Sequence, residues 1–113
     1  MLYLMAIKTI KFRDNLAKMV LAGEKNSTFR LFDDKDLKAD DEVGLINWNT
    51  GEKFADAVII EVKEQKLRNM TVSDYEGHEK FESEEKMYEA YREYYGDKVT
   101  PETLVKIIKF KLL

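Results

Sequence analysis

The run from Phe54 to Val62 constrains the fold more than any other stretch of this sequence. Its side chains alternate as in a β-strand, and both alternating sets are largely apolar. A strand that is apolar on both faces is covered on both sides, so we expect it to lie centrally in a sheet. Around it lie four more strand-like runs, 7–12, 26–32, 43–48 and 105–113, and two helical runs, Asp14–Ala22 and Ser83–Tyr95.

Short strands wrapped by two flanking helices predict an α+β fold built on a small β-barrel of about five to six strands. We expect the barrel to be closed or nearly closed, with the last strand paired near the first. The turn residues Asn49-Thr50-Gly51 predict a hairpin. A chain of 113 residues supports one hydrophobic core, so residues 1–113 are expected to form a single domain.

Both helices carry end signals. Asp14 or Asn15 can cap the first helix, and Ser83 can cap the second, because a side-chain oxygen accepts from the unpaired N–H groups of the first turn. Gly23 suits the position just past a helix end, where φ is positive. The second helix has an inner stripe that we interpret as packing rather than recognition: Met87, Ala90, Tyr91, Tyr94 and Tyr95.

The absence of cysteine excludes disulfides, a thiolate nucleophile and Cys-type zinc sites. The apolar segment Met1–Ala6 is too short for a signal peptide core or a membrane span, and translation can begin at Met1 or Met5. We therefore expect a soluble, cytoplasmic protein without a membrane partner.

Charge divides the chain into basic ends and an acidic middle. Residues 31–97 hold nine basic and 19 acidic side chains, whereas the whole chain has a formal net charge of −3. Such a chain is a poor non-specific nucleic-acid binder, because that affinity comes from released counterions. Any RNA binding is expected to be weak and confined to the basic ends, and no DNA specificity is evident. Paired ends would gather four basic side chains beside the cleft: Lys8, Lys11, Lys109 and Lys111.

The stretch from Gly23 to Arg30 combines a turn glycine with a lysine, a hydroxyl and a guanidinium. On a strand, Thr28 and Arg30 point to one face. Lys25 has the wrong parity to join them from within the strand, so it converges on Thr28 only from the preceding turn. The alternative is a hairpin edge with a solvated Lys25 and an Arg30 paired with a carboxylate.

Two single residues allow more than one interpretation. His78, the one histidine, has no partners at metal-ligand spacing, so we interpret it as an exposed loop residue. Trp48 is interpreted as core or rim packing, with an aromatic platform for a base as the alternative.

The ordered features resemble the ASCH domain. Phe12-Arg13 is followed by the helix that ends at Gly23 and by the frame Gly-x-Lys-x-x-Thr-x-Arg. The segment Lys38–Val43 is similar to the Gly-Asp-x-Val turn of the family, and the resemblance covers nearly the whole chain. Asn26 departs from the usual Thr, and Asp40 stands where the turn glycine is expected. Asp tolerates a left-handed backbone, so the turn can form.

The resemblance implies a PUA-like β-barrel that binds RNA or nucleotides in the cleft beside Gly23–Arg30, without a cofactor or metal. Some compact members are amidohydrolases that remove the acyl group of N4-acetylcytidine with a Lys, a Thr and a Glu. By position these are Lys25, Thr28 and Glu79, with Glu76 or His78 as alternatives for the acid. We expect Arg30, Arg13 and Trp48 to contact the ligand.

Three functions follow as hypotheses. The first is binding of a nucleoside, nucleotide or RNA, and the second is hydrolysis of an N-acylated pyrimidine nucleoside. The third is a protein-interaction domain that uses the acidic middle segment. A carboxylate next to Lys25 separates the first two, because the hydrolase needs it as a proton shuttle.

Overall fold

Five strands and two helices make up the computed structural model, which describes residues 8–113. The expectations for Met1–Ala6, the two start sites and Ile7 lie outside the described residues. The strands are β1 Lys8–Phe12, β2 Ser27–Leu31, β3 Glu42–Asn47, β4 Lys53–Lys66 and β5 Leu104–Leu112; the helices are α1 Asp14–Leu21 and α2 Glu84–Tyr95. Two short 3-10 turns, Leu67–Asn69 and Val72–Tyr75, lead from β4 towards α2.

The strands form one curled sheet in the order β1-β3-β4-β5-β2. The pair β1–β3 is parallel, and the other three pairs are antiparallel. The long strand β4 is central, as its two apolar faces predicted. Its register against β5 shifts between Ile59 and Glu61, and a bulge of this kind bends a strand and increases its twist. The α+β fold with a barrel-like sheet and two main helices is thus confirmed.

The predicted pairing of the last strand with the first is wrong. β5 has β4 on one side and β2 on the other, so it has no free edge for β1. The two strands still face each other across the interior, where the rings of Phe12 and Phe110 lie 5.9 Å apart. The charge pattern that motivated the pairing carries no information on strand order. Lys8 instead binds Asp41 at 2.9 Å, and Lys109 lies 3.8 Å from Glu76.

Side chains bring the two edge strands together. Arg30 Nη2 in β2 donates to the carbonyl of Lys11 in β1 at 2.7 Å. Lys35 Nζ donates to the carbonyl of Thr9 at 2.7 Å. The half-barrel is therefore closed along this seam by cationic side chains rather than by a main-chain ladder.

Two hydrophobic clusters fill the structure. The first lies between α1 and the strands and includes Phe12, Leu45 and Ile59. The second lies under α2 and includes Phe29, Met87 and Tyr91. Phe12 and Phe29 also line a cavity at the boundary of the two clusters.

The start of α1 differs from the sequence-based expectation. Arg13 occupies the N-cap position without a side-chain cap, and Asp14 is already the first helical residue. The Asp14 N–H donates to Asn49 Oδ1 at 2.8 Å, and its carboxylate accepts from Asn47 Nδ2 at 3.0 Å. The β3–β4 hairpin therefore caps the helix from outside, which a local sequence window does not reveal.

The other predicted ends are confirmed. Gly23 follows α1 with φ 78°, and Ser83 Oγ accepts from the Lys86 N–H at the start of α2. Asp40 adopts the left-handed conformation expected of the turn, with φ 74°. No helix among residues 8–113 is both long and apolar enough to cross a lipid bilayer.

Candidate functional site

A cavity of about 370 Å³ lies where β1, β2 and the C-terminal part of α2 meet. The Phe12 ring and the Thr28–Arg30 stretch line it from the sheet, and Tyr91, Tyr94 and Tyr95 line it from α2. The loop between the 3-10 turns and α2 adds His78 and Glu79. A volume of this size matches small-molecule pockets, which occupy about 300–1,000 Å³.

Lys25 lies at the buried end of the cavity. It lies in the turn between α1 and β2, the position from which the sequence predicted that it could approach Thr28. Only 2% of the residue is exposed. Its Nζ donates to the Ser27 carbonyl at 2.7 Å and to Glu79 Oε1. Burial lowers the pKa of the Lys25 amine, and the charge of Glu79 opposes that shift. The interpretation of Lys25 as a solvated edge residue is therefore wrong.

Gly77 brings the loop that carries Glu79 close to Lys25. The N–H groups of Asn26 and Ser27 both donate to its carbonyl, at 2.9 and 3.1 Å. Gly77 has φ 76°, and a Cβ atom there would lie 1.7 Å from Asn26 Oδ1. Glycine suits both this positive φ and the close approach. The contact holds Glu79 beside a lysine 54 residues away in the chain.

Glu79 is the carboxylate that meets Lys25, among the three positions that the sequence left open. Burial raises the pKa of Glu79, but the neighbouring His78 and Lys25 outweigh it and hold the pKa below its usual value. The side chain of Glu76 is 77% exposed and lies nearest to Lys109, at 3.8 Å. Glu76 is thus outside the cavity.

His78 is buried, so its interpretation as an exposed loop residue is wrong. Its ring stacks on Phe29 with centroids 3.7 Å apart and planes 13° from parallel. Burial, assisted by the nearby charge of Lys25, lowers the pKa of His78 to about 4, which leaves the imidazole neutral at pH 7. Its neighbours in the sequence did not reveal this burial, because a neutral imidazole packs as an aromatic ring.

Thr28 and Arg30 share a face of β2, as the strand periodicity predicted. Arg30 Nε donates to Thr28 Oγ1 at 3.1 Å, and its Nη2 reaches the Lys11 carbonyl. The guanidinium lies 5.1 Å from the centre of the Phe12 ring. Within residues 8–113 no carboxylate forms an ion pair with Arg30, so the alternative of an edge arginine paired with an acid is wrong. Arg30 instead orients the Thr28 hydroxyl.

Arg13, Trp48 and Tyr94 form the rim of the cavity. The Arg13 guanidinium carbon lies 4.3 Å from the Trp48 ring centre and 5.0 Å from that of Tyr94. Trp48 is 54% exposed, which rules out the core but agrees with the rim position that was part of its packing interpretation. Planar cations and aromatic faces attract each other in this arrangement.

Sequence reasoning missed the contribution of α2 to the site. The tyrosine stripe divides: Met87 and Tyr91 are buried, whereas Tyr94 is 50% exposed and faces the cavity rim. The sequence position of Tyr94 could have indicated its exposure, because it lies one turn beyond Tyr91 at the end of the helix. Phe81 also lines the cavity and was not singled out, whereas Lys11 was expected beside the cleft and does line it.

The arrangement offers proton donors and acceptors but no metal-binding set. In the described part of the chain, no three His, Cys, Asp or Glu side chains are grouped to hold a metal ion. Lys25 uses two of its three N–H donors within the protein, which leaves one for a ligand. Thr28 accepts from Arg30, and its own O–H remains a donor.

No protein-family model and no curated protein matches this sequence. Solved structures do match. Protein EF3133 of Enterococcus faecalis V583 has a TM-score of 0.79 at 17% identity, over 99% of this chain and 83% of that chain. The ASCH domain of Lactobacillus crispatus JV V101 has a TM-score of 0.67 at 17% identity, over 93% and 79%. ASCH from Zymomonas mobilis has a TM-score of 0.64 at 13% identity, over 91% and 65%. The resemblance indicated by the sequence is thereby confirmed at the level of the fold: this chain has the fold of the ASCH-domain structures.

Proposed function

We propose that the cavity binds a nucleoside or nucleotide, free or as part of an RNA strand. The observation that carries this proposal is the pairing of two environments in one cavity. Its inner end holds the buried Lys25–Glu79 pair, and its rim presents the aromatic faces of Trp48 and Tyr94. A heterocyclic base has polar edges and apolar faces, so it matches both environments at once.

The rim also suits the sugar and phosphate. Lys11 and Arg13 are exposed cations at the mouth, and Arg13 already lies against Trp48. Arginine binds phosphate oxygens through paired N–H donors. The acidic middle segment repels a long polyanion, so the site takes a nucleotide or the end of a strand rather than a continuous RNA.

Trp48 provides the assay, because it is the one tryptophan of the chain and lies at the rim. Its fluorescence is expected to change on titration with nucleosides, nucleotides and short single-stranded RNA. Lys25→Met is expected to weaken binding about 10- to 100-fold, the scale of a charge-assisted hydrogen bond. Lys18→Met is the matched control, since Lys18 is exposed and lies outside the cavity lining. No fluorescence response to any of these ligands would overturn the proposal.

Salt dependence separates a local site from an extended one. We expect a shallow log–log slope of RNA affinity between about 50 and about 200 mM salt, because few phosphates are contacted. A slope that corresponds to six or more phosphate contacts would contradict the confined site.

The second candidate is hydrolysis of an N-acylated pyrimidine nucleoside, and the Lys25–Glu79 contact beside Thr28 favours it. A proton passes from Lys25 to Glu79, and the neutral amine then takes the Thr28 hydroxyl proton while Oγ1 attacks the amide carbonyl. The C–N bond breaks as Glu79 protonates the departing amine, and water hydrolyses the acyl-threonine. A lowered pKa of Lys25 assists the first step.

Release of cytidine from N4-acetylcytidine tests this candidate. Lys25→Ala and Thr28→Ala are each expected to abolish turnover, and Glu79→Gln to lower kcat more than it raises KM. Absence of turnover in the wild type, with binding retained, would leave the binding function alone. If binding also fails, the acidic segment 31–97 becomes the lead, as a surface for a basic protein.

A further inference from the structure

His78 is held in one orientation. Its side chain is 3% exposed, and its ring lies face to face with Phe29. The rings of Tyr75 and Phe81 approach it from other sides, with centroids 6.4 and 6.2 Å away. A ring packed on several sides cannot rotate freely, so the direction of each nitrogen is set by the fold.

The neighbours of His78 also determine its tautomer. Nδ1 lies 2.6 Å from the carbonyl oxygen of Glu79 and 3.1 Å from Glu79 Oε1. A carbonyl oxygen only accepts, so Nδ1 must carry the proton. Because the imidazole is neutral at pH 7, Nε2 then has a bare lone pair.

No described residue donates a hydrogen bond to Nε2. Ser27 Oγ is the one fully enclosed side-chain oxygen or nitrogen without a partner in residues 8–113, so Nε2 is not sealed in the core. His78 lines the cavity next to Lys25 and Glu79. A ligand that covers this acceptor without donating to it leaves the acceptor unpaired at a cost in free energy, whereas a ligand that donates an N–H avoids that cost.

We propose that His78 Nε2 determines specificity by accepting a hydrogen bond from an N–H group on the ligand edge that enters the cavity. The proposal rests on the nucleoside-binding function proposed above. Lys25 lines the same cavity and keeps one N–H donor for a ligand. Together, the two side chains match a base edge that carries both an N–H and a carbonyl or ring-nitrogen acceptor.

Both standard pyrimidine nucleosides of RNA present such an edge, and methylated analogues separate them. Uridine carries a ring N–H that 3-methyluridine lacks, and cytidine carries an exocyclic N–H that N4,N4-dimethylcytidine lacks. We expect the wild type to prefer one parent nucleoside over its methylated analogue by at least about tenfold, the factor for one buried hydrogen bond. Methylation of uridine at C5 serves as the control for added bulk.

His78→Phe keeps an aromatic ring against Phe29 and removes both nitrogens. We expect this variant to bind the parent and the methylated nucleoside within about threefold of each other, because the acceptor is gone. Tyr75→Phe is the matched control: it deletes the hydroxyl of a ring whose centroid lies 6.4 Å from that of His78, but Tyr75 does not line the cavity. It is expected to retain the wild-type preference.

Nitrogen NMR observes the acceptor directly, because the chain has a single histidine. In protein with isotope-labelled histidine, Nδ1 is expected to be protonated and Nε2 bare. Addition of the preferred nucleoside should shift the Nε2 resonance towards the hydrogen-bonded range, whereas its methylated analogue should not. A purely structural histidine would show no such difference.

Three outcomes would contradict the role of His78 Nε2. A protonated Nε2 in the free protein overturns the inference. Nucleoside binding without an Nε2 shift, or an equal preference in wild type and His78→Phe, overturns it while the proposed function stands. If no nucleoside binds, the proposed function and this inference fail together.

Discussion

Two lysine–carboxylate pairs, Lys25–Glu79 and Lys106–Asp33, lie on either side of Arg30. They differ in how many hydrogen bonds their carboxylates accept. Arg30 lines both the site cavity and a second cavity of about 390 Å³. Beside the second cavity, Asp33 binds Lys106 at 2.9 Å and the N–H groups of Lys35 and Leu37 at 3.1 Å. Lys106 Nζ also donates to the Leu37 carbonyl at 3.2 Å.

The Lys25–Glu79 pair has fewer partners. Glu79 meets the protein mainly through Oε1, and its side chain is 26% exposed to the cavity, against 8% for Asp33. Volume does not distinguish the two regions, since the cavities are nearly equal in size. Asp33 accepts hydrogen bonds at both carboxylate oxygens and serves the scaffold, whereas Glu79 is bound mainly through one oxygen and is available to a ligand.

The largest expected effect comes from breaking the pairs one at a time. Lys106→Met leaves Asp33 charged and almost enclosed, so we expect a loss of about 3 kcal/mol of unfolding free energy without a change in ligand affinity. Lys25→Met should cost less stability, because Glu79 reaches solvent through the cavity, but it should remove most binding. Urea unfolding and Trp48 fluorescence titration measure the two quantities. Equal stability losses, or lost binding in Lys106→Met, would erase the difference between the regions.

Acid should weaken the site region first. The folded-state pKa of His78 is about 4, against an ordinary value of 6.5, so below pH 6.5 the unfolded state binds a proton that the folded state refuses. Stability is therefore lost as pH falls from about 6.5 to about 4, by about 3 kcal/mol at most. Lys25, Glu79 and Arg30 are the charged groups that act on His78.

The Asp33 pair does not contribute in this pH window, because hydrogen bonds from Lys106 and two backbone N–H groups outweigh burial and lower the pKa of Asp33. Its stabilisation is lost only below the ordinary carboxylate range. Urea unfolding at about pH 7 and about pH 5 should show a smaller pH effect in His78→Phe than in the wild type. An unchanged pH effect in that variant would contradict the assignment.

Substitution of Arg30, which lines both cavities, is expected to have an intermediate effect on stability. Arg30→Met removes the bonds to Thr28 Oγ1 and to the Lys11 carbonyl, so we expect a loss of about 1–2 kcal/mol and faster hydrogen exchange in β1. Ligand binding should weaken as well, because Thr28 loses its orientation. Lys35→Met is the control: it opens the same seam at Thr9 but should leave binding unchanged.

The smallest effect concerns the exposed aromatics at the two rims. Trp48 is 54% exposed at the site cavity, and Phe32 is 45% exposed at the second. Trp48→Leu should weaken nucleoside binding by about 1 kcal/mol through lost stacking, whereas Phe32→Leu should not change it. Calorimetry replaces fluorescence as the binding measurement here. A larger effect of Phe32→Leu would move the ligand to the second cavity.

Features that depend on neighbours along the chain could be predicted from the amino-acid sequence. It predicted the helix that ends at Gly23, the turn position of Lys25 and the shared face of Thr28 and Arg30. It also predicted the central place of β4 and the left-handed Asp40. Each of these follows from backbone geometry, from alternation along a strand, or from the conformational freedom of one residue.

Contacts between distant segments could not be predicted and were found in the folded structure. The contact of Gly77 with Asn26 sets Glu79 rather than Glu76 beside Lys25, and the same contact buries His78 against Phe29. The strand order likewise separates β5 from β1. Such contacts depend on the register and curvature of a whole sheet, so the alternation of any single strand fits several arrangements equally well.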